Sequence, residues 1–162
     1  SLFGDDDSLR EYHILRTLRQ IPSKLIDHPR VSEPDSSGKV FWIKSPRLRW
    51  VPLLLRVKDR ALDHDSLLEM QGALQDYIRL LYSKGVAYQV KPEYMVPLEG
   101  VGPLEIVLGG WMEAEFDPNK TRVHSAEWKT REATQGDEVK RIFAEARAAV
   151  TGDTIDIEDQ IS

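Results

Sequence analysis

Apolar side chains recur along this chain at two spacings, and the spacing changes from segment to segment. Ile14, Leu18 and Ile21 fall three to four positions apart and predict an N-terminal helix from about residue 8 toward Ile21. Ser8-Leu9-Arg10-Glu11 fits a capping box at its start, with Ser8 accepting from a backbone N–H and Glu11 reaching back, and Pro22 limits the helix. The clearest stripe is Leu67, Leu74, Ile78 and Leu81, flanked by Leu68, Tyr77 and Leu80; it predicts a long central helix at about 66–83. Ser66 and Glu69 stand at capping-box spacing, His64-Asp65 reads as local capping, and Gly85 is placed for the left-handed residue that closes the helix. Val139, Ile142, Phe143, Ala146 and Val150 predict a last helix at about 136–150.

Elsewhere the period is two. KVFWIK at 39–44, RLRWVPLLLRVK at 47–58, VAYQV at 86–90 and YMVPLE at 94–99 are strand-like, with Pro52 confined to a bulge or an unpaired edge position. Residues 104–116 alternate most regularly. Leu104, Ile106, Leu108, Met112, Ala114 and Phe116 take even positions, and Glu105, Trp111, Glu113 and Glu115 odd ones. The parity survives Gly109-Gly110, which predicts one long bent strand. Asp117-Pro118-Asn119-Lys120 reads as a turn, and 121–130 as a returning antiparallel strand. DHPRVSEPDSSG at 27–38 reads as a surface loop. The order of elements predicts an α+β fold, a mostly antiparallel sheet packed by the three helices. Strand 49–57, the central helix and strand 86–90 are able to form a β-α-β unit.

A chain of 162 residues fits one domain, placed at 1–150, followed by an acidic, flexible tail at 151–162. Ile155 and Ile157 alternate in that tail, a pattern able to add as a strand to a partner's sheet. The absence of cysteine removes disulfides, thiolate metal sites and thiol catalysis, and is compatible with the cytoplasm or another reducing compartment. Ser1 in place of a methionine is compatible with a processed or partial chain. The net charge of −5 argues against a non-specific nucleic-acid binder, and no apolar run is long enough to insert in a membrane.

The chemistry-bearing stretch is GGWMEAEFDPNKTRVHSAEWK, 109–129. Glu113 followed by Glu127-Trp128-Lys129 resembles the PD-(D/E)xK nuclease superfamily over fewer than 20 residues. The resemblance implies two acids holding Mg²⁺ or Mn²⁺, and a lysine that orients the attacking water on nucleic acid. The alternation offers a plainer reading, in which Glu113 and Glu115 form the solvent face of a strand. A second Glu-x-Lys at Glu138-Val139-Lys140, on an expected helix, shows how readily the spacing arises in this charged chain. The four histidines lack metal-ligand spacing, and no phosphate loop or nucleophile elbow occurs. Trp111, on the polar face of the strand, is either a contact anchor or covered by another element. Arg47, Arg49 and Trp50 form a basic-aromatic cluster for an acidic partner or a base, or else Trp50 is core and the arginines are solvated. The leading expectation is a non-enzymatic interaction or structural subunit of a cellular or viral assembly. It binds protein partners and needs no cofactor or metal, with contacts at Trp111, Arg47, Arg49, Ile155 and Ile157. The alternative is a metal-dependent nuclease using Glu113, Glu127 and Lys129.

Overall fold

Among the described residues three helices carry the apolar stripes inward and short strands fill the space between them. The computed structural model describes residues 6–31, 43–44, 53, 62–98 and 104–151. Helix α1 spans Asp6–Leu18 and buries Ile14, Leu15 and Leu18. The helix begins at Asp6, two residues before the Ser8 start that the capping-box spacing suggested. Helix α2 spans His64–Ser83 and buries Leu67, Leu74, Ile78 and Leu81 as the stripe predicts, together with Met70, Tyr77 and Tyr82. Its N-cap is Asp63, whose carboxylate accepts from the Ser66 N–H at 2.6 Å; the cap therefore precedes His64-Asp65 and the proposed Ser66 box. Leu68 and Leu80 remain exposed at the margins of the stripe. Gly85, at φ +86°, follows the C-cap Lys84 in the left-handed conformation anticipated for it.

Helix α3 spans Ala126–Thr151. It lies antiparallel to α2, since Trp128 bonds to Tyr82, Gln75 to Gly136 and Arg147 to Gln71 in reversed order. Val139, Ile142, Phe143 and Ala146 are its buried face. The helix starts ten residues before the expected 136. The predicted return strand at 121–130 is thus a turn followed by the first helical residues. Ser125 causes the switch: its hydroxyl accepts from the Trp128 N–H at 3.1 Å and its carbonyl from the Lys129 N–H at 3.2 Å, the pattern of a helix N-cap.

Seven short strands complete the described fold. They are β1 (Ile26–Asp27), β2 (Arg30–Val31), β3 (Ile43–Lys44), β4 (Val86–Ala87), β5 (Met95–Pro97), β6 (Ile106–Leu108) and β7 (Glu115–Phe116). β6 is the centre of a three-stranded sheet, parallel to β1 with Ile26 opposite Ile106, and antiparallel to β5 with Met95 opposite Leu108. β2 pairs with β3, and β4 with β7, both antiparallel. The fold is α+β, with antiparallel pairing predominating among the described strands.

The long bent strand at 104–116 is overturned. β6 and β7 belong to different sheets, and Gly110 at φ +82° starts a 3₁₀ turn, Trp111–Glu113, between them. A glycine in the left-handed region reverses the chain where curvature of a continuous strand was expected. Trp111 then points inward at 2% exposure and Met112 outward at 60%, the reverse of their predicted faces. Most of the predicted strands at 39–44 and 47–58, with the first strand of the β-α-β unit, lie outside the described residues, as do Arg47, Arg49, Trp50 and the segment 152–162 with Ile155 and Ile157. Within 47–58 only Leu53 is described; it is buried and helical, against the strand expected there.

Candidate functional site: the clasped turn at 110–115

The break after β6 builds the most distinctive surface of the described molecule. Trp111 anchors it from below. Its indole N–H donates to the Leu108 carbonyl at 2.7 Å, and its ring lies 4.6 Å from that of Tyr88, which itself donates to the Gly109 carbonyl at 2.5 Å. Gly110 has no room for a side chain, because a Cβ there would come within 2.7 Å of the Tyr94 ring. From the side of α1, the Arg10 guanidinium donates to the Met112 carbonyl at 2.8 Å. The Ala114 N–H closes the turn onto the Trp111 carbonyl at 3.3 Å. The backbone carrying Met112 is therefore fixed at several points, while its side chain faces solvent. Leu9, on α1, is a second exposed apolar side chain, at 43%.

The two acids that follow Met112 are each engaged by a cation. Glu113 accepts from the Tyr94 hydroxyl and from the Lys91 ammonium at 3.2 Å, and that ammonium stands 5.3 Å from the centre of the Tyr94 ring. Glu115 pairs with Arg131 at 2.8 Å, and Arg131 lies 5.4 Å from the Trp128 ring. Between these pairs runs an open groove of about 290 Å³, lined by Tyr82, Tyr88, Glu113, Glu115, Arg131 and Gln135 among others. Gln135 uses its side-chain oxygen to accept the Val90 N–H at 2.7 Å.

Protonation follows from these contacts. The Tyr94 hydroxyl, then Lys91, holds the Glu113 carboxyl below its ordinary range. The same carboxylate pushes the Lys91 ammonium and the Tyr94 phenol upward. Each of the three moves away from neutrality, whereas general acid–base work favours groups brought toward it. The buried tyrosines move the same way: Tyr82 is pushed up to about 12 and Tyr88 well above its usual value, chiefly by burial. The arrangement suits a clasp that fixes a turn.

The candidates drawn from the sequence separate. Glu113 stands in the clasp. Glu127 and Lys129 lie in the first turn of α3, where residues two apart point about 200° away from each other, so the shared face that a strand would have given them is lost. Both are exposed, and neither lines the groove of Glu113. Among the described residues no group of three or more His, Asp or Glu is placed to hold a metal ion, and no helix is long and apolar enough to cross a membrane. Trp111 is too buried to be a contact anchor and is corrected to a core anchor. Sequence reasoning missed Met112, Lys91, Tyr94 and Arg131. The signal available was the Gly109-Gly110 pair, a stronger indication of a turn than of a bend in a strand. No protein-family model matches the chain, and none of the curated proteins matches it significantly.

Proposed function

We propose that this chain is a non-enzymatic interaction or structural subunit of a larger assembly, with Met112 as a contact residue. The supporting observation is the pairing of a 60%-exposed methionine with a backbone already fixed by Arg10, Trp111 and Gly110. Scattered exposed apolar residues are ordinary. A rigidly presented one is less so, because the ordering cost of association has been met in advance. An unbranched thioether also adapts to an irregular partner surface. The ion pairs at Glu113 and Glu115 supply the polar rim such a contact requires. Arg47, Arg49, Ile155 and Ile157 remain further contact candidates on their sequence alone.

The test is the native mass of the protein in an extract of its source, by size exclusion with immunodetection. Elution well above the 18.5 kDa monomer is expected. Met112→Ala should weaken the partner contact by about 2 kcal/mol, roughly thirtyfold, and Met112→Asp should abolish it. Glu127→Ala should leave it unchanged. Monomeric elution of the wild type refutes the proposal. So does a Mg²⁺- or Mn²⁺-dependent cleavage of nucleic acid that Glu127→Ala removes.

A further inference from the structure

A second surface, on the opposite side of β7 from the groove, has a different character. The exposed face of α1 presents His13 and Arg16, Arg19 follows in the turn after the helix, and the trough beside them, about 570 Å³, is completed by Phe116 and Pro118. No acid lines it. The Arg16 guanidinium is held in place by donating to the Tyr12 hydroxyl at 3.1 Å and lies 5.7 Å from the centre of that ring. Arg19 is steadied by the Val31 carbonyl at 3.0 Å. Phe116 and Pro118 also line an adjoining trough, where Arg10 and Arg122 face Glu115 and Asp117 and Trp128 forms part of the wall. In a chain of net charge −5, a cationic trough with an apolar floor selects an acidic ligand that also carries apolar side chains.

The chain itself contains such a ligand. Residues 152–162 carry Asp153, Asp156, Glu158 and Asp159, no Lys or Arg, and Ile155 and Ile157 interleaved with the acids. We infer that the α1 trough receives the 152–162 segment of a second copy of this chain, with Ile155 and Ile157 against Phe116 and Pro118 and the acids beside Arg16. Geometry makes the contact intermolecular. Thr151 closes α3 about 35 Å along the helix from Trp128, at 1.5 Å per residue. Trp128 marks the trough end of that helix. Fully extended, Ile155 reaches about 14 Å beyond Thr151 and Ile157 about 20 Å, too short to return along α3. Each copy offers one trough and one segment, so the association is head-to-tail and either closes into a ring or propagates. The inference rests on the interaction-subunit reading but uses a surface separate from Met112.

Sedimentation velocity on the purified full chain tests it, with circular dichroism to confirm that each variant is folded. The wild type should self-associate with concentration. Association should weaken when salt is raised from about 0.05 to 0.3 M, as the screening length falls from roughly 14 to 6 Å. Arg16→Glu, and separately Asp156→Lys with Glu158→Lys, should each weaken association at least about tenfold, and combining them should restore much of it. Met112→Asp should leave it unchanged, which separates failure of this inference from failure of the proposed function. A wild type that stays monomeric, or an association indifferent to Arg16→Glu, overturns the inference. A trough that instead binds a single-stranded oligonucleotide in an Arg16-dependent way overturns it in favour of nucleic acid.

Discussion

Replacing Gly85 with alanine perturbs one backbone position at which three costs coincide. The residue sits at φ +86°, and a side chain there costs about 1–2 kcal/mol from left-handed strain alone. The new Cβ would come within 3.2 Å of the Asp117 carbonyl carbon and nearer still to its oxygen. Backbone atoms cannot rotate aside as a flexible side chain can, so the 117–122 loop must shift, at a further 1 kcal/mol or so. That shift loosens the Asp117 N–H to Gly85 carbonyl bond of 2.8 Å that extends the β4–β7 pair, worth about 1 kcal/mol. It also strains the bonds by which the Asp117 carboxylate holds Thr121 at 2.7 Å and the Arg122 N–H at 2.9 Å. Together the loss should be about 3–4 kcal/mol, on the order of 10 °C in Tm for a chain of this length. The control is Gly72→Ala, in the middle of α2, where a Cβ meets no atom within 4 Å. It should stabilise by about 0.5–1 kcal/mol through helix propensity. Urea unfolding followed by circular dichroism measures both. A Gly85→Ala variant within about 1 kcal/mol of wild type, or a Gly72→Ala variant less stable than wild type, would refute the reasoning.

Other outcomes follow from the clasp and its anchors. Trp111→Phe removes the donor to the buried Leu108 carbonyl and should cost about 1–3 kcal/mol in the same unfolding assay. Glu113 should titrate by carbon-13 NMR below the ordinary carboxylate value, and Tyr94→Phe should raise its midpoint. Its folded pKa is depressed, so its contribution is present above the unfolded value and is lost as pH falls through the folded one. Tyr82 runs the other way. Its folded pKa near 12 exceeds the ordinary phenol value of about 10, so its contribution is complete below about pH 10 and disappears as pH rises toward 12. Stability measured across that alkaline window should fall less steeply in Tyr82→Phe.

The parts of the fold that were legible in sequence are those in which local pattern and tertiary burial agree. α2 announced itself because Leu67, Leu74, Ile78 and Leu81 repeat at helical spacing and Gly85 stands one residue past its cap. The second half of α3 did so through Val139, Ile142, Phe143 and Ala146. Its first half did not, because between Ala126 and Val139 Trp128 alone is a fully buried apolar residue, three turns before the next. One apolar side chain makes no stripe, and Ser125 was the sole signal of the start. The 104–116 segment misled for a different reason. Two glycines preserve the parity of a strand while allowing the chain to reverse, so the alternation continued on paper after the strand had ended. The inversion of Trp111 and Met112 followed from the left-handed Gly110, and with it the location of the candidate contact.

The parallel pairing of β1 with β6 has a consequence for how this chain reaches its native state. Ile26 lies opposite Ile106, eighty positions later, and α2, β4 and β5 all fall within the closed loop. The entropy of closing that loop must be met before the pairing returns any stabilisation. Folding should therefore be slow for a protein this rich in helix, because contacts distant in sequence slow the search. The α2–α3 hairpin, whose residues touch through Tyr82–Trp128 and Gln71–Arg147, is able to gather first, leaving the N-terminal segment to dock last. Substitutions at Ile26 should then speed unfolding while leaving the folding rate nearly unchanged, whereas those at Leu74 or Phe143 should slow folding itself.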